Sequence, residues 1–159
     1  MRRALLFVSG IIVGASAQAS MGQQRDVVGL NHVAISVPNF EEAAQFYRDG
    51  MGFPEAFTFR EADGSPALSY FQVNRSTFIE LMPTTRERPP GFVHFGLEVT
   101  NLDALVSRLR ARGMEIRDPI VSARTKSRVA VARTPQGTGV ELLEFGPDSL
   151  HRKVMDAWK

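Results

Sequence analysis

Two stretches of the chain alternate in the manner of a strand with one buried face: Asn31-His32-Val33-Ala34-Ile35-Ser36-Val37 and Val93-His94-Phe95-Gly96-Leu97-Glu98-Val99. Their histidines lie 62 residues apart. A helix-capping asparagine follows each run, Asn39 and Asn101. Each has an acidic residue two positions on, Glu41 and Asp103, where the positive end of a helix favours it. An apolar stripe at steps i, i+3, i+4 and i+7 then comes twice, as Phe40, Ala43, Ala44, Tyr47 and as Leu102, Leu105, Val106, Leu109. Gly50 and Gly113 are placed to end these helices in the left-handed conformation. Strand-like runs follow at residues 67–73 and 77–82 in the first half and 129–132 and 140–145 in the second. Gly64-Ser65-Pro66 and Pro135-Gln136-Gly137 mark turns between them.

Histidine, cap and stripe recur in one register, which points to duplication. The expected architecture is α+β: a strand, a helix and about three strands, done twice, as βαβββ modules over residues 28–82 and 92–146. Residues 83–91, with Pro83, Pro89 and Pro90, link the halves. The tail, 147–159, is expected to form a short amphipathic helix with Leu150, Val154 and Trp158 on its apolar side. That face serves packing or an oligomer contact, such as a homodimer.

The first residues have a different pattern. Met1-Arg2-Arg3 is basic, residues 4–15 are mostly apolar, and Ala17-Gln18-Ala19 is a small-x-small cleavage signal. This order predicts a signal peptide over 1–19, export to the periplasm or beyond, and no membrane attachment after processing. Residues 20–27 then form an N-terminal arm. The whole chain has 159 residues and a formal charge of +2; beyond the leader 17 basic groups face 17 acidic ones. No charge excess remains to seek phosphates, so nucleic acid is not an expected partner. With no cysteine in the chain, disulfides, thiolate metal sites and a cysteine nucleophile are excluded.

The candidate chemistry rests on four polar residues set in apolar strands. Each half has a histidine near its start, His32 or His94, and a glutamate near its end, Glu80 or Glu141, 48 and 47 residues later. A buried carboxylate needs a cation, a partner or solvent to offset its desolvation. Two imidazoles and two carboxylates suit a divalent transition metal, with open positions left for a substrate. On the strands, His32 shares a face with Ala34 and Ser36, and His94 with Gly96 and Glu98; the opposite faces are branched or aromatic and suit packing under a helix. Glu98 lies about 13 Å along the strand from His94, too far to share its metal. Glu144 faces away from Glu141.

The paired modules, the opening Leu30-Asn31-His32-Val33-Ala34-Ile35-Ser36-Val37, Phe46-Tyr47 before Gly50, Pro135-Gln136-Gly137 and Val140-Glu141-Leu142 resemble the vicinal oxygen chelate superfamily. Its members include glyoxalase I, methylmalonyl-CoA epimerase, extradiol dioxygenases, fosfomycin-resistance proteins and bleomycin-binding proteins. The resemblance spans about residues 28–146 and implies a curved, half-barrel-like sheet. It places His32, Glu80, His94 and Glu141 at the four ligand positions of the glyoxalase type, around Zn, Ni, Co, Mn or Fe(II). It also implies a small substrate chelated through two neighbouring oxygens. The metal would then acidify a C–H beside a carbonyl, and Glu141 or Glu80 would carry the proton. An extradiol dioxygenase would use His32, His94 and Glu141 alone, leaving Glu80 surplus. A non-catalytic binding protein is the third reading. Arg60, Arg75, Arg124, Arg128 and Arg133 are candidates to orient an anionic substrate, and Phe78, Met82, Leu143 and Phe145 to line the cleft.

Overall fold

The computed structural model describes residues 26–159. The expected leader and most of the expected arm lie outside the described residues. The chain folds as β1 (Val27–Val37), α1 (Phe40–Gln45), β2 (Glu55–Arg60), β3 (Pro66–Asn74) and β4 (Thr77–Pro83). It continues as β5 (Gly91–Val99), α2 (Leu102–Ala111), β6 (Ile120–Val121), β7 (Arg128–Arg133), β8 (Gly139–Glu144) and α3 (Leu150–Ala157). The strands form one curled, half-barrel sheet in the order β2-β3-β4-β1-β5-β8-β7-β6. The order is symmetric about its centre. In each module the first strand runs parallel to the last, β1 with β4 and β5 with β8. The two modules join through the antiparallel β1–β5 pair. That junction places both histidine strands side by side.

The duplicated sequence pattern accounts for the two helices. Asn39 and Asn101 each accept a hydrogen bond from a backbone N–H three residues on, capping α1 and α2. Phe40 and Ala44 bury against Phe71 and Leu81. Leu102, Leu105 and Val106 bury against Val99, Ile116, Ala130, Ala132 and Leu142. Both helices thus cover the convex side of the sheet and leave the concave side for other use.

Three details differ from expectation. α1 widens into a π-type turn over Phe46–Gly50, and the left-handed residue is Gly52 (φ +70°) rather than Gly50. Gly113 does take that role after α2 (φ +85°). β1 begins at Val27, inside the expected arm, and Asp26 is tied down by Thr100 and Arg108. The tail helix forms, but rotated from the expected face: His151 and Met155 are buried, whereas Trp158 is exposed. Among the described residues, no helix is long and apolar enough to cross a membrane.

Candidate metal centre

The β1–β5 pair sets His94 opposite Ala34 and His32 opposite Gly96. The outer parallel strands bring Glu80 beside Ala34 and Glu141 beside Gly96. Four side chains from four strands therefore meet on the concave face within a single chain. The Nε2 atoms of His32 and His94 are 3.1 Å apart. Glu80 Oε2 lies 3.3 Å from His32 Nε2 and 3.1 Å from His94 Nε2. The carboxylate oxygens of Glu141 lie 3.7 and 3.6 Å from the same two nitrogens. Metal–nitrogen and metal–oxygen bonds of about 2.0–2.2 Å hold neighbouring donors about 3–3.5 Å apart, close to these edges. His32, His94 and Glu141 form a group able to hold a metal ion.

Two further observations fit a cation. Glu80 Oε2 is buried and makes no well-aligned hydrogen bond, which is costly for an ionised carboxylate without a positive neighbour. His32 also presents a lone pair to the centre. Asn31 Nδ2 donates to the Ser76 carbonyl, 3.2 Å away, which turns Asn31 Oδ1 toward His32. The imidazole Nδ1, 3.0 Å from that oxygen, must then be the donor, so the neutral ring carries no hydrogen on Nε2. Sequence pattern alone missed Asn31. Strict alternation points it away from its neighbour His32, but β1 slips register against β5 between Leu30 and His32.

Burial and charge tune the four groups differently. Desolvation drives the His32 pKa down to about 4, against the attraction of Glu80. Burial also opposes the charge on His94, but the close approach of Glu80 and the field of Glu141 raise its pKa above the ordinary value. Burial resists ionisation of Glu80, yet both imidazoles and the Tyr70 hydroxyl hold its carboxyl below the usual range. Glu141 moves the other way: desolvation, with the Glu80 charge nearby, raises its pKa. The two carboxylates are thus unequal, one enclosed at 5% side-chain exposure and one open at 26%.

The other candidates sit elsewhere. Glu98 pairs with Arg152. Glu144 accepts from the Leu102 N–H and from Arg128, so it supports the start of α2. Arg60, Arg124 and Arg128 are engaged by Glu41, Glu61 and Asp103 respectively. Arg133 donates to the Gly137 carbonyl at the end of β7, and Arg75 is exposed. Phe78, Met82 and Phe145 do lie on the concave side, packed with α3, and Leu143 is buried near Gly96.

Comparison with known proteins agrees with this architecture. Residues 29–142 match the Glyoxalase/Bleomycin resistance protein/Dioxygenase superfamily. Over 87 residues the chain is 39% identical to an iron-dependent extradiol dioxygenase of Rhodococcus jostii (strain RHA1), a stretch covering 47% of this chain but 28% of that protein. It is 26% identical over 126 residues to the mitochondrial methylmalonyl-CoA epimerase of Homo sapiens, covering 73% and 72% of the two chains. Its fold overlays the crystal structure of methylmalonyl-CoA epimerase from Mycobacterium tuberculosis with a TM-score of 0.64 at 25% identity, over 80% of this chain and 95% of that one. The chain belongs to the Glyoxalase/Bleomycin resistance protein/Dioxygenase superfamily.

Proposed function

We propose that this protein is a metal-dependent isomerase or lyase that moves a proton next to a carbonyl of a small substrate in an exported compartment. The observation that carries the reading is the convergence of the His32, His94 and Glu141 donor atoms on the concave face, with Glu80 Oε2 within 3.3 Å of both imidazole nitrogens. His32, Glu80, His94 and Glu141 would hold the ion. A divalent cation bound there supplies Lewis acidity, polarising a carbonyl and lowering the pKa of the adjacent C–H.

The residues of the chain divide the remaining work. Asn31 fixes the His32 ring, and Tyr70 steadies Glu80. Glu80, enclosed and held charged, suits an anchoring ligand. Glu141 is the more open carboxylate, and its raised pKa makes it the stronger base. It takes the proton from carbon and returns it to the same or the neighbouring carbon. The epimerase relatives support proton transfer of this kind.

Ring cleavage by iron is the second reading. It is favoured by the 39% identity to the extradiol dioxygenase and by the His32, His94, Glu141 group. The two readings separate in one assay. The metal-loaded protein is incubated in deuterated water with dicarbonyls and 2-substituted malonyl thioesters, and separately with catechols under an oxygen electrode. Deuterium uptake at carbon without oxygen consumption supports the first reading. Oxygen uptake with catechols and retention of that activity in Glu80→Ala support the second.

A further inference from the structure

The modules repeat one plan, but the concave face is not symmetric. Tyr70 stands opposite Glu80 on β3, and Val131 stands opposite Glu141 on β7, the same place in the other module. Tyr70 is 4% exposed and Val131 is 41% exposed. The side chain of His32 is fully enclosed, while His94 retains 11% exposure. Glu80 and Glu141 differ in the same direction, at 5% and 26% side-chain exposure, so around the centre the first module is closed and the second open.

The closing element is α3. His151 stacks on Phe145 (ring centroids 4.9 Å apart), meets Phe57 and Tyr70 edge-on at 5.0 and 4.8 Å, and lies 6.3 Å from the His32 ring. Met155 packs with Leu68, Tyr70 and Phe78. Polar contacts tie α3 to the second module. His151 Nδ1 lies 3.2 Å from Ser127 Oγ, the Leu150 N–H donates to the Thr125 carbonyl, and Arg152 pairs with Glu98 at 3.0 Å. Near this end, Arg124 reaches Glu61 across the two outer hairpins, 2.8 Å apart. The superfamily match stops at residue 142, so α3 lies in the part of this chain outside it.

We infer that α3 is a specificity element that gives the proposed metal centre one entrance, on the second-module side. Resting on the reading above, a substrate places two neighbouring oxygens between His94 and Glu141. Its remaining body lies over the exposed Val131, an apolar surface that favours a compact, weakly polar group. The first-module side is filled by protein and takes no part of the substrate.

The absence of cysteine makes thiol accessibility a direct test. Val131→Cys and Leu68→Cys are introduced singly into the full chain, and reaction with a disulfide reagent is timed in the metal-free protein. The Val131→Cys thiol is expected to react at least about a hundredfold faster. Met155→Asp, or the gentler surface change Arg152→Glu, should raise the Leu68→Cys rate at least about tenfold while circular dichroism keeps the sheet signal. Equal rates for the two thiols would overturn the inference. So would a Val131→Cys thiol protected in proportion to protein concentration, which would mean a second copy covers that face. With Zn(II) added, benzohydroxamate should protect Val131→Cys and not Leu68→Cys; the reverse, or no protection with zinc bound, also overturns it. Failure to bind zinc at all refutes the metal reading instead, and the metal-free rates still decide whether α3 seals the cleft.

Discussion

Gly96 faces His32 across the central strand pair with no side chain between them. A Cβ at this position would overlap the imidazole ring and stand 2.7 Å from Leu143 Cδ1. Both neighbours are buried, and a close-packed interior yields little. Gly96→Ala should therefore push His32 out of the centre. The expected cost is about 1–3 kcal/mol of stability and at least about a tenfold loss in zinc affinity. Thermal melts and equilibrium dialysis measure the two effects, and an unchanged affinity would show that His32 has no part in the binding.

Asn31 bears on the same ring from the other side. Its amide links the Ser76 carbonyl to His32 Nδ1. Asn31→Ala removes that link and frees the imidazole to turn or change tautomer. Outer partners of this kind are worth about 10–100-fold in metal affinity. Asn31→Asp keeps an acceptor for Nδ1–H and should recover most of the loss. Titration with a competing chelator distinguishes the two variants.

Much of this arrangement was legible from the periodic pattern. A strand, a cap and a helical stripe repeat at a fixed offset, and repetition fixes topology better than local propensity does. The apolar faces of α1 and α2 were readable because a stripe at helical spacing has one way to bury. β6 was not, because Ile120 and Val121 are a short exposed pair with no alternation to detect. Asn31 was hidden by a register slip, which long-range pairing decides. The seat of α3 was equally hidden. Amphipathic spacing says that a helix has an apolar side, not which groove it fills, and the buried histidine at 151 reads as polar.

The two glutamates are expected to fail differently. Glu80→Gln removes the enclosed carboxylate between two imidazoles, so metal affinity should fall at least about tenfold and turnover with it. Glu141→Gln keeps a coordinating oxygen but removes the open base. Its metal content should stay near one ion per chain while solvent exchange at the substrate carbon falls about 10²–10⁴-fold. Metal analysis beside a deuterium-exchange assay reads both. If Glu80→Gln keeps its metal and loses only turnover, the assigned roles are reversed.

Acid should destabilise the metal-free protein through its buried imidazoles. Burial pushes the His151 pKa down to about 3, whereas in the unfolded chain it is about 6.5. Above pH about 6.5 both states are neutral and the group is without effect. Below that, the unfolded chain takes up a proton that the fold refuses, so stability falls with pH until the loss is complete near the folded pKa. His32, held at about 4, acts in the same direction. At pH 5 one such histidine costs about 2 kcal/mol. His151→Leu should shrink the difference in unfolding free energy between pH 7.5 and pH 5 by about that amount in urea titrations. An undiminished difference would mean that His151 is protonated within the fold.

The central claim is that one ion is held by groups from both modules of one chain. Its most direct test is elemental analysis of the purified protein after loading with Zn(II) and exhaustive dialysis, beside His32→Ala and His94→Ala. The account predicts one zinc per chain in the parent and less than about a tenth of that in either variant. A parent protein that retains no metal, or variants that keep a full equivalent, would contradict it.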